Sequence, residues 1–349
     1  MSSEQTYPLV SVVMPVRNEE SFIARSLGAV LAQDYPAERL EVLVVDGMSA
    51  DGTRQVIAQV ARQGMGQSVH IVENPQRIFS SGFNLGLAQA RGEVIIMLGG
   101  HTELAPDYVR RCVEQLAAHP ECACVGGVIE TVAETPVGRT IALAMSSPFG
   151  VGGVAFRTGA RRALEVDTVA FGAYRREAME RCGPLDEELV RNQDDEYNYR
   201  LRALGGHILL APEIRARYHS RASLGSLWRQ YFQYGYWKVR VMQKHPRQMR
   251  PRHFVPAAFV AALFGAALGA FFSPWGRGLL ALGAGAYLLA NLAASFLAAR
   301  RAGWRHLPLL PLAFATLHLS YGLGFLVGLV RFAGRWRGPG RRFARKERS

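Results

Sequence analysis

Three acidic groupings and one histidine carry the chemistry this chain could perform. The run NQDDEYNYRLR sets Asp194, Asp195 and Glu196 side by side at the start of a stretch whose Tyr197, Leu201 and Leu204 have helical spacing. Adjacent carboxylates repel, and a helix N-terminus, a cation or a bound substrate relieves that repulsion. One of them could serve as general base toward a hydroxyl, although helix capping would use the same residue types. In VLVVDGMSADGT, Asp46 closes an apolar run, where a carboxylate can accept hydrogen bonds from a base or ribose. Asp51 is equally suited to ligand contact and to capping the next helix. The third grouping is EVIIMLGGHTEL, in which an apolar run from Val94 to Leu98 opens into Gly99, Gly100, His101, Thr102 and Glu103. Hard divalent ions prefer oxygen and Mn²⁺ tolerates imidazole, so His101 with Glu103 is a candidate metal pair; a glycine turn bearing a surface histidine is the plainer alternative.

The elements that must hold these residues alternate. PLVSVVMPV, LEVLVVD, SVHIVEN and VIIML read as strands, separated by helical patterns over RNEESFIARSLGAVLAQDY, about residues 51–61 and about residues 82–90. This βαβαβαβ order predicts an α/β, mostly parallel, doubly wound sheet with its ligand crevice at the carboxyl edge. A Rossmann oxidoreductase would need GxGxxG after the first strand, and MPVRNEE contains no glycine.

Charge divides the chain of 349 residues. From Lys238 onward there are 18 Lys and Arg against one acid, Glu347, whereas the preceding part holds 23 basic and 27 acidic side chains. A basic excess confined to the most apolar end argues for a membrane and against nucleic acid. Phe254 to Phe272, Leu279 to Ala299 and Leu307 to Val330 each approach the ~20 residues that cross a hydrocarbon layer. MSSEQTYPLV lacks a basic-then-apolar pattern, so no cleaved signal is expected, and Arg240, Lys244, Arg247, Arg250 and Arg252 fit a cytoplasmic flank. Three full crossings would carry the tail RFAGRWRGPGRRFARKERS, with eight basic residues, to the far side. That conflict leaves two or three spans, the third with a re-entrant or interfacial path as its alternative. Cys112, Cys122, Cys124 and Cys182 form no CxxC or Cys/His pattern and read as reduced thiols.

SVVMPVRNEE, VLVVDGMSADGT, SSGFNLGLAQARGEVIIML and FGAYRREAMERCGPLDEELVRNQDDEYNYRLRALGGHI, in that order, resemble a family 2 glycosyltransferase of GT-A fold. VDTVAFGAYRRE, RNQDDEYNYRLR and RQYFQYGYWK are similar more narrowly to the ExoA-like subgroup of exopolysaccharide and succinoglycan biosynthesis. The resemblance implies inverting transfer from a nucleotide-diphosphate sugar, a UDP-sugar being favoured, assisted by Mg²⁺ or Mn²⁺. It turns Pro15, Arg17, Asn18, Glu19, Asp46 and Asp51 toward the nucleotide and sets Arg77 near its base or phosphates. The family's metal motif, Asp-x-Asp or Asp-x-His, falls on Gly99 to His101, with the first acid replaced by Gly99. Aligned backward from Arg200, the Glu-Asp pair falls on Gln193 and Asp194, making Asp194 the expected base and Asp195 and Glu196 secondary. Asp167 and Gly172 would line the acceptor cleft. In place of Gln-x-x-Arg-Trp the chain has Gln230 followed by Tyr231, Phe232, Gln233 and Tyr234, with Arg229 and Arg221 as substitutes beside the leaving diphosphate.

The expected organisation is a GT-A domain over 1–222, an amphipathic interfacial linker over 223–253, a membrane region over 254–333 and a basic tail over 334–349. SPFGVGGVAFRTGARR reads as a lid or acceptor loop, with an ordinary surface loop as the even alternative. The expected activity adds a sugar to a polyprenyl-diphosphate-linked saccharide on the cytoplasmic face of the inner membrane. Its competitors are a nucleotide-sugar-binding protein without catalysis and a processive synthase.

Overall fold

In the computed structural model the described residues are 7–62, 64, 66–220 and 222–336, so Arg221 and the tail from 337 lie outside them. The chain divides into two compact units, one formed by 1–132 with 153–220 and the other by 133–152 with 221–349. The division differs from the expected one, because residues 133–152 belong with the C-terminal unit. The chain passes from one unit to the other between Gly152 and Gly153, both at positive φ (68° and 70°), a conformation that glycine adopts without steric penalty.

The first unit begins β1 (Val10–Val16), α1 (Ile23–Leu31), β2 (Leu40–Asp46), α2 (Thr53–Ala61), β3 (Ser68–Glu73), α3 (Phe79–Gln89) and β4 (Val94–Met97), the alternation the apolar runs predict. β3, β2, β1 and β4 pair in parallel. Every residue of β1, β2 and β4 is buried, as strands covered on both faces require, while β3 at the edge is partly exposed. Next come β5 (Thr102–Leu104), α4 (Tyr108–Ala118) and β6 (Cys122–Val132). In the second unit follow α5 (Pro136–Met145) and α6 (Pro148–Val151). The first unit resumes with α7 (Ala155–Thr158), β7 (Leu164–Glu165), β8 (Ala173–Arg175), α8 (Arg176–Cys182), α9 (Gln193–Ala203) and β9 (His207–His219).

The sheet runs β3-β2-β1-β4-β8-β6-β9-β5, with β7 also on β9. β8 is antiparallel to β4 and β6, so this half is mixed. The antiparallel register sets Ala173 opposite Ile96, so the loop that leads into β8 arrives at the edge where β4 ends. β6 and β9 approach so closely at Gly127 that a Cβ there would lie 1.8 Å from the Ile214 carbonyl oxygen.

The second unit contains α10 (Leu224–Lys244), α11 (Val255–Phe272), α12 (Pro274–Ala302) and α13 (Leu310–Arg331). The last three are long and apolar enough to cross a membrane. Arg229 and Gln230 lie on α10, in this unit, whereas the other candidate site residues belong to the first.

Candidate active site

The loops that leave β1, β2 and β3 are knitted together at the carboxyl edge. Asn18 N–H donates to Ser49 Oγ (2.9 Å), and Ala50 N–H donates to Asn18 Oδ1 (2.9 Å). Glu19 N–H donates to Thr53 Oγ1 (2.8 Å), and Gly52 N–H to Glu20 Oε2 (3.1 Å). Asn74 N–H reaches the Asp46 carbonyl (2.8 Å), and Arg77 N–H reaches that of Asn74 (3.1 Å). Five non-glycine residues have positive φ among the described residues: Asn18 (53°), Met48 (56°), Arg77 (62°), Phe171 (55°) and Asn192 (59°). Three follow β1, β2 and β3, and Phe171 enters β8 at the same edge. Asparagine tolerates that conformation; methionine, arginine and phenylalanine adopt it at a cost of about 1–3 kcal/mol each, and such strain clusters at functional sites.

The predicted nucleotide residues divide by what they touch. Arg17 is exposed beside this edge. Pro15 is buried within β1, under Gly82, whose Cβ would lie 3.1 Å from that of Pro15; it is packing rather than an open contact. Asp46 is fully buried, and its carboxylate accepts from Ser49 N–H (3.2 Å to each oxygen) and from Arg54 Nε. The same guanidinium reaches Glu73 (3.0 Å), so Arg54, which the sequence reading passed over, pins the ends of β2 and β3. Asp51 accepts from Thr53 Oγ1 and from Thr53 N–H (3.1 Å), a turn just ahead of α2 whose hydrogen bonds, the Thr53 hydroxyl first, lower its pKa.

The His101 and Glu103 side chains each meet a different partner. The His101 ring faces Glu19 (Nδ1 to Oε1, 3.0 Å) and lies edge-on to Tyr218 (5.2 Å between centroids), over which Arg157 Cζ sits at 5.2 Å. Glu103 meets His219 at the end of β9 instead (2.6 Å), because β5 pairs with β9. His219 was missed by the sequence reading; a single histidine ending a strand carries no spacing signal. Among the described residues no three His, Cys, Asp or Glu side chains gather as metal ligands. Glu19 and His101 offer one carboxylate and one imidazole, so a divalent ion held there would take most of its ligands from diphosphate oxygens and water. The two residues of the expected metal pair thus make separate acid–histidine contacts in this structure, each closing a loop.

α9 brings its acids to the same edge. Ser80 Oγ, at the start of α3, donates to the Leu189 carbonyl (3.0 Å), and Asn192 in the left-handed conformation turns the chain into α9. From within α9, Asn198 Nδ2 donates to Thr168 Oγ1 (2.9 Å) and its Oδ1 accepts from Tyr174 OH (2.9 Å). Burial above all raises the Tyr174 phenol well above its usual range, and the Asn198 bonds tie α9, one turn beyond Asp194, to the β8 strand that pairs with β4. Asp194 and Asp195 are partly exposed in the first turn. Glu196 is buried and paired with Arg200 (3.0 Å), which also donates to the Cys182 and Pro184 carbonyls (2.8 Å each). Glu196 thus fastens the loop ahead of α9. Asp167 is buried in the β7–β8 loop next to Thr168, and Gly172 passes its carbonyl to Met97 N–H (3.1 Å) at the end of β4.

An acid-bearing helix N-terminus therefore shares one sheet edge with three interlocked strand-end loops. Glycosyl transferase family 2 matches residues 11–183 of this chain. The succinoglycan biosynthesis protein ExoA of Rhizobium meliloti (strain 1021) is 31% identical over 247 residues, 70% of this chain and 73% of that protein. The chain is a family 2 glycosyltransferase. A Methanococcus voltae relative, the dolichyl N-acetyl-alpha-D-glucosaminyl phosphate 3-beta-D-2,3-diacetamido-2,3-dideoxy-beta-D-glucuronosyltransferase, is 29% identical over 240 residues, 67% of this chain and 74% of that one. Among solved structures, mannosyltransferase PcManGT from Pyrobaculum calidifontis, in complex with GDP-Man and Mn²⁺, superposes with a TM-score of 0.59 at 22% identity, covering 92% of this chain and 88% of its own. The transferase therefore has the GT-A fold, with a mixed sheet followed by a helical region.

Proposed function

We propose that this glycosyltransferase moves a sugar, with inversion, from a nucleotide-diphosphate donor to a lipid-linked saccharide at the cytoplasmic face of the inner membrane. The observation that carries this reading is the convergence of strained strand-end loops and the α9 N-terminus on one edge. The relatives lend support: the Methanococcus protein acts on a dolichyl-linked sugar phosphate, and PcManGT binds GDP-mannose with Mn²⁺. A UDP-sugar and a polyprenyl-diphosphate acceptor are the expected pair here.

Asp194 is the general base. Its carboxylate takes the proton of the acceptor hydroxyl as that oxygen bonds to the anomeric carbon, and the bond from that carbon to the diphosphate breaks with its electron pair leaving on the diphosphate. Developing negative charge on the leaving group calls for N–H donors or cations. Arg17 and Arg77, both exposed, offer guanidiniums from the loops that leave β1 and β3. Mg²⁺ or Mn²⁺, where bound, would supply further charge to the diphosphate; no step assigned to these residues depends on it.

The test is transfer from labelled nucleotide sugars to polyprenyl-diphosphate acceptors by the purified full chain, with Mn²⁺, Mg²⁺ or EDTA. Asp194→Asn should lower kcat by roughly 10²–10⁴-fold with little change in donor KM. Full turnover by that variant removes the base assignment, and donor binding without transfer to any acceptor would favour the non-catalytic alternative.

A further inference from the structure

α11 and α12 form a tight antiparallel hairpin. Gly269 faces Gly276 near the tip, where a Cβ on Gly276 would lie 2.2 Å from the Gly269 carbonyl carbon, and the Phe259 and Tyr287 rings stack at 4.5 Å further down. From Pro256 to Phe272 the hairpin is about 24 Å long. Its tip half is apolar and uncovered: Phe264, Leu268, Phe271, Phe272, Trp275 and Leu282 are all 62–84% exposed. Between residues 261 and 286 the single charge is Arg277.

α13 does not run alongside this hairpin. Asn291 Nδ2 donates to the Pro311 carbonyl (3.0 Å), and Tyr287 OH bonds to His318 Nδ1 (3.0 Å). A Cβ on Gly322 would lie 2.4 Å from the Pro256 carbonyl oxygen, and Phe254 stands edge-on to Phe325 (5.9 Å). These four contacts, spread over about 21 Å of α13, fall within residues 254–260 and 287–291 of the hairpin, a band about 6–9 Å deep. A helix crossing the bilayer beside α11 would meet it toward the tip as well. α13 therefore lies across the base of the hairpin.

The other face of α13 is occupied by α10, in parallel. A Cβ on Gly324 would lie 2.0 Å from the Phe232 carbonyl oxygen and one on Gly328 2.7 Å from that of Tyr236, while Gln243 Nε2 donates to the Phe332 carbonyl (2.9 Å). α10 carries Arg229, Lys238, Arg240 and Lys244, so a spanning α13 would draw four cations into hydrocarbon, a costly arrangement. By contrast, headgroup depth suits α10, with its Trp228 and Trp237.

We infer that only α11 and α12 enter the hydrocarbon, as a hairpin that returns to the side it left, with α13 and α10 lying across its base at headgroup level. The chain after Arg331 then remains on the side of Arg247, Arg250 and Arg252, and Arg300, Arg301 and Arg305 join them, in keeping with basic residues staying cytoplasmic. The partner of the exposed hairpin is acyl chain, and the conflict between three apolar stretches and a basic tail disappears.

This inference rests on the membrane reading above, and the experiment separates the two. The full chain is produced in a bacterial inner membrane with a reporter after Ser349: a fluorescent protein that matures only in the cytoplasm, or a phosphatase active only outside. The same fluorescent protein at the N-terminus supplies the reference side. Both fluorescent fusions should be bright and the phosphatase silent, with the chain retained in the membrane pellet after alkaline carbonate. An active phosphatase with a dark C-terminal fluorescent fusion, in pelleted material, overturns the hairpin while leaving the membrane reading intact. Release of the chain by carbonate overturns both.

Discussion

Ser11→Ala tests how the sheet is locked at the end away from the site. Ser11 Oγ, fully buried on β1, donates to Glu41 of β2 and accepts from Gly92 N–H (2.7 Å), while Arg91 adds its N–H and its Nε (2.9 Å) to the same carboxylate. Removing the hydroxyl deletes a bond to a charged acceptor and strands a buried N–H, together about 3 kcal/mol. All five tryptophans lie between residues 228 and 336, so their fluorescence does not report on the first unit. Its four cysteines do: all are buried, and burial raises every one of their pKa values, so they are inert until the unit opens. Thiol labelling of Cys112 and Cys124 should therefore accelerate about 100-fold in the variant, since each 1.4 kcal/mol is tenfold. Burial alone would raise the Glu41 pKa, yet its bonds to Ser11 and Arg91 outweigh that and hold it below normal. A depressed folded pKa adds stability above the unfolded value, and that stability is lost as pH falls through the folded one. Acidification below about pH 4.3 should accordingly narrow the ratio of the variant's labelling rate to that of the wild type, the loss of thiolate being common to both. Less than threefold acceleration at neutral pH would refute the reasoning.

Further substitutions separate roles that look alike in the sequence. Gly100→Ala would set a Cβ 2.9 Å from Glu19 Cγ and 3.0 Å from Val16 Cγ1, disturbing the Glu19–His101 contact, whereas a Cβ at Gly99 meets only Thr102 Oγ1 at 3.9 Å. Calorimetry should find donor binding weakened severalfold by the former and unchanged by Gly99→Ala. Arg200→Ala leaves Glu196 buried without its cation, which costs about 3–5 kcal/mol; faster thiol labelling of Cys182, restored when Glu196→Leu is added, would confirm it. Gly324→Ala forces α13 away from the Phe232 carbonyl at about 3 kcal/mol, read as a lower midpoint of tryptophan-detected unfolding.

The parallel half of the fold was legible because its strands are unbroken apolar runs ended by polar turns, and a strand covered on both faces can hardly be written otherwise. The mixed half was not. β7 has two residues and β8 three, too few for any period, and their places depend on partners far along the chain. The grouping of 133–152 with the C-terminal helices was equally hidden: His318 bonds to the Phe149 carbonyl (2.8 Å) across 169 positions, and no local pattern in α5 or α6 announces it.

At the site, residue type was legible and residue duty was not. Asp46 reads as an open carboxylate until Arg54, the second residue of α2, is seen against it. Asp194 and Glu196 stand two apart in one acidic run, yet one is partly exposed and the other is buried on Arg200, a difference set by the 100° step of a helix and not by composition. Met48 and Phe171 were invisible for a different reason: their types argue against the left-handed conformation they adopt, so local propensity points away from the observed backbone. Where local preference and tertiary structure disagree in this way, strain of about 1–3 kcal/mol per residue is held at the carboxyl edge, where the proposed donor site lies.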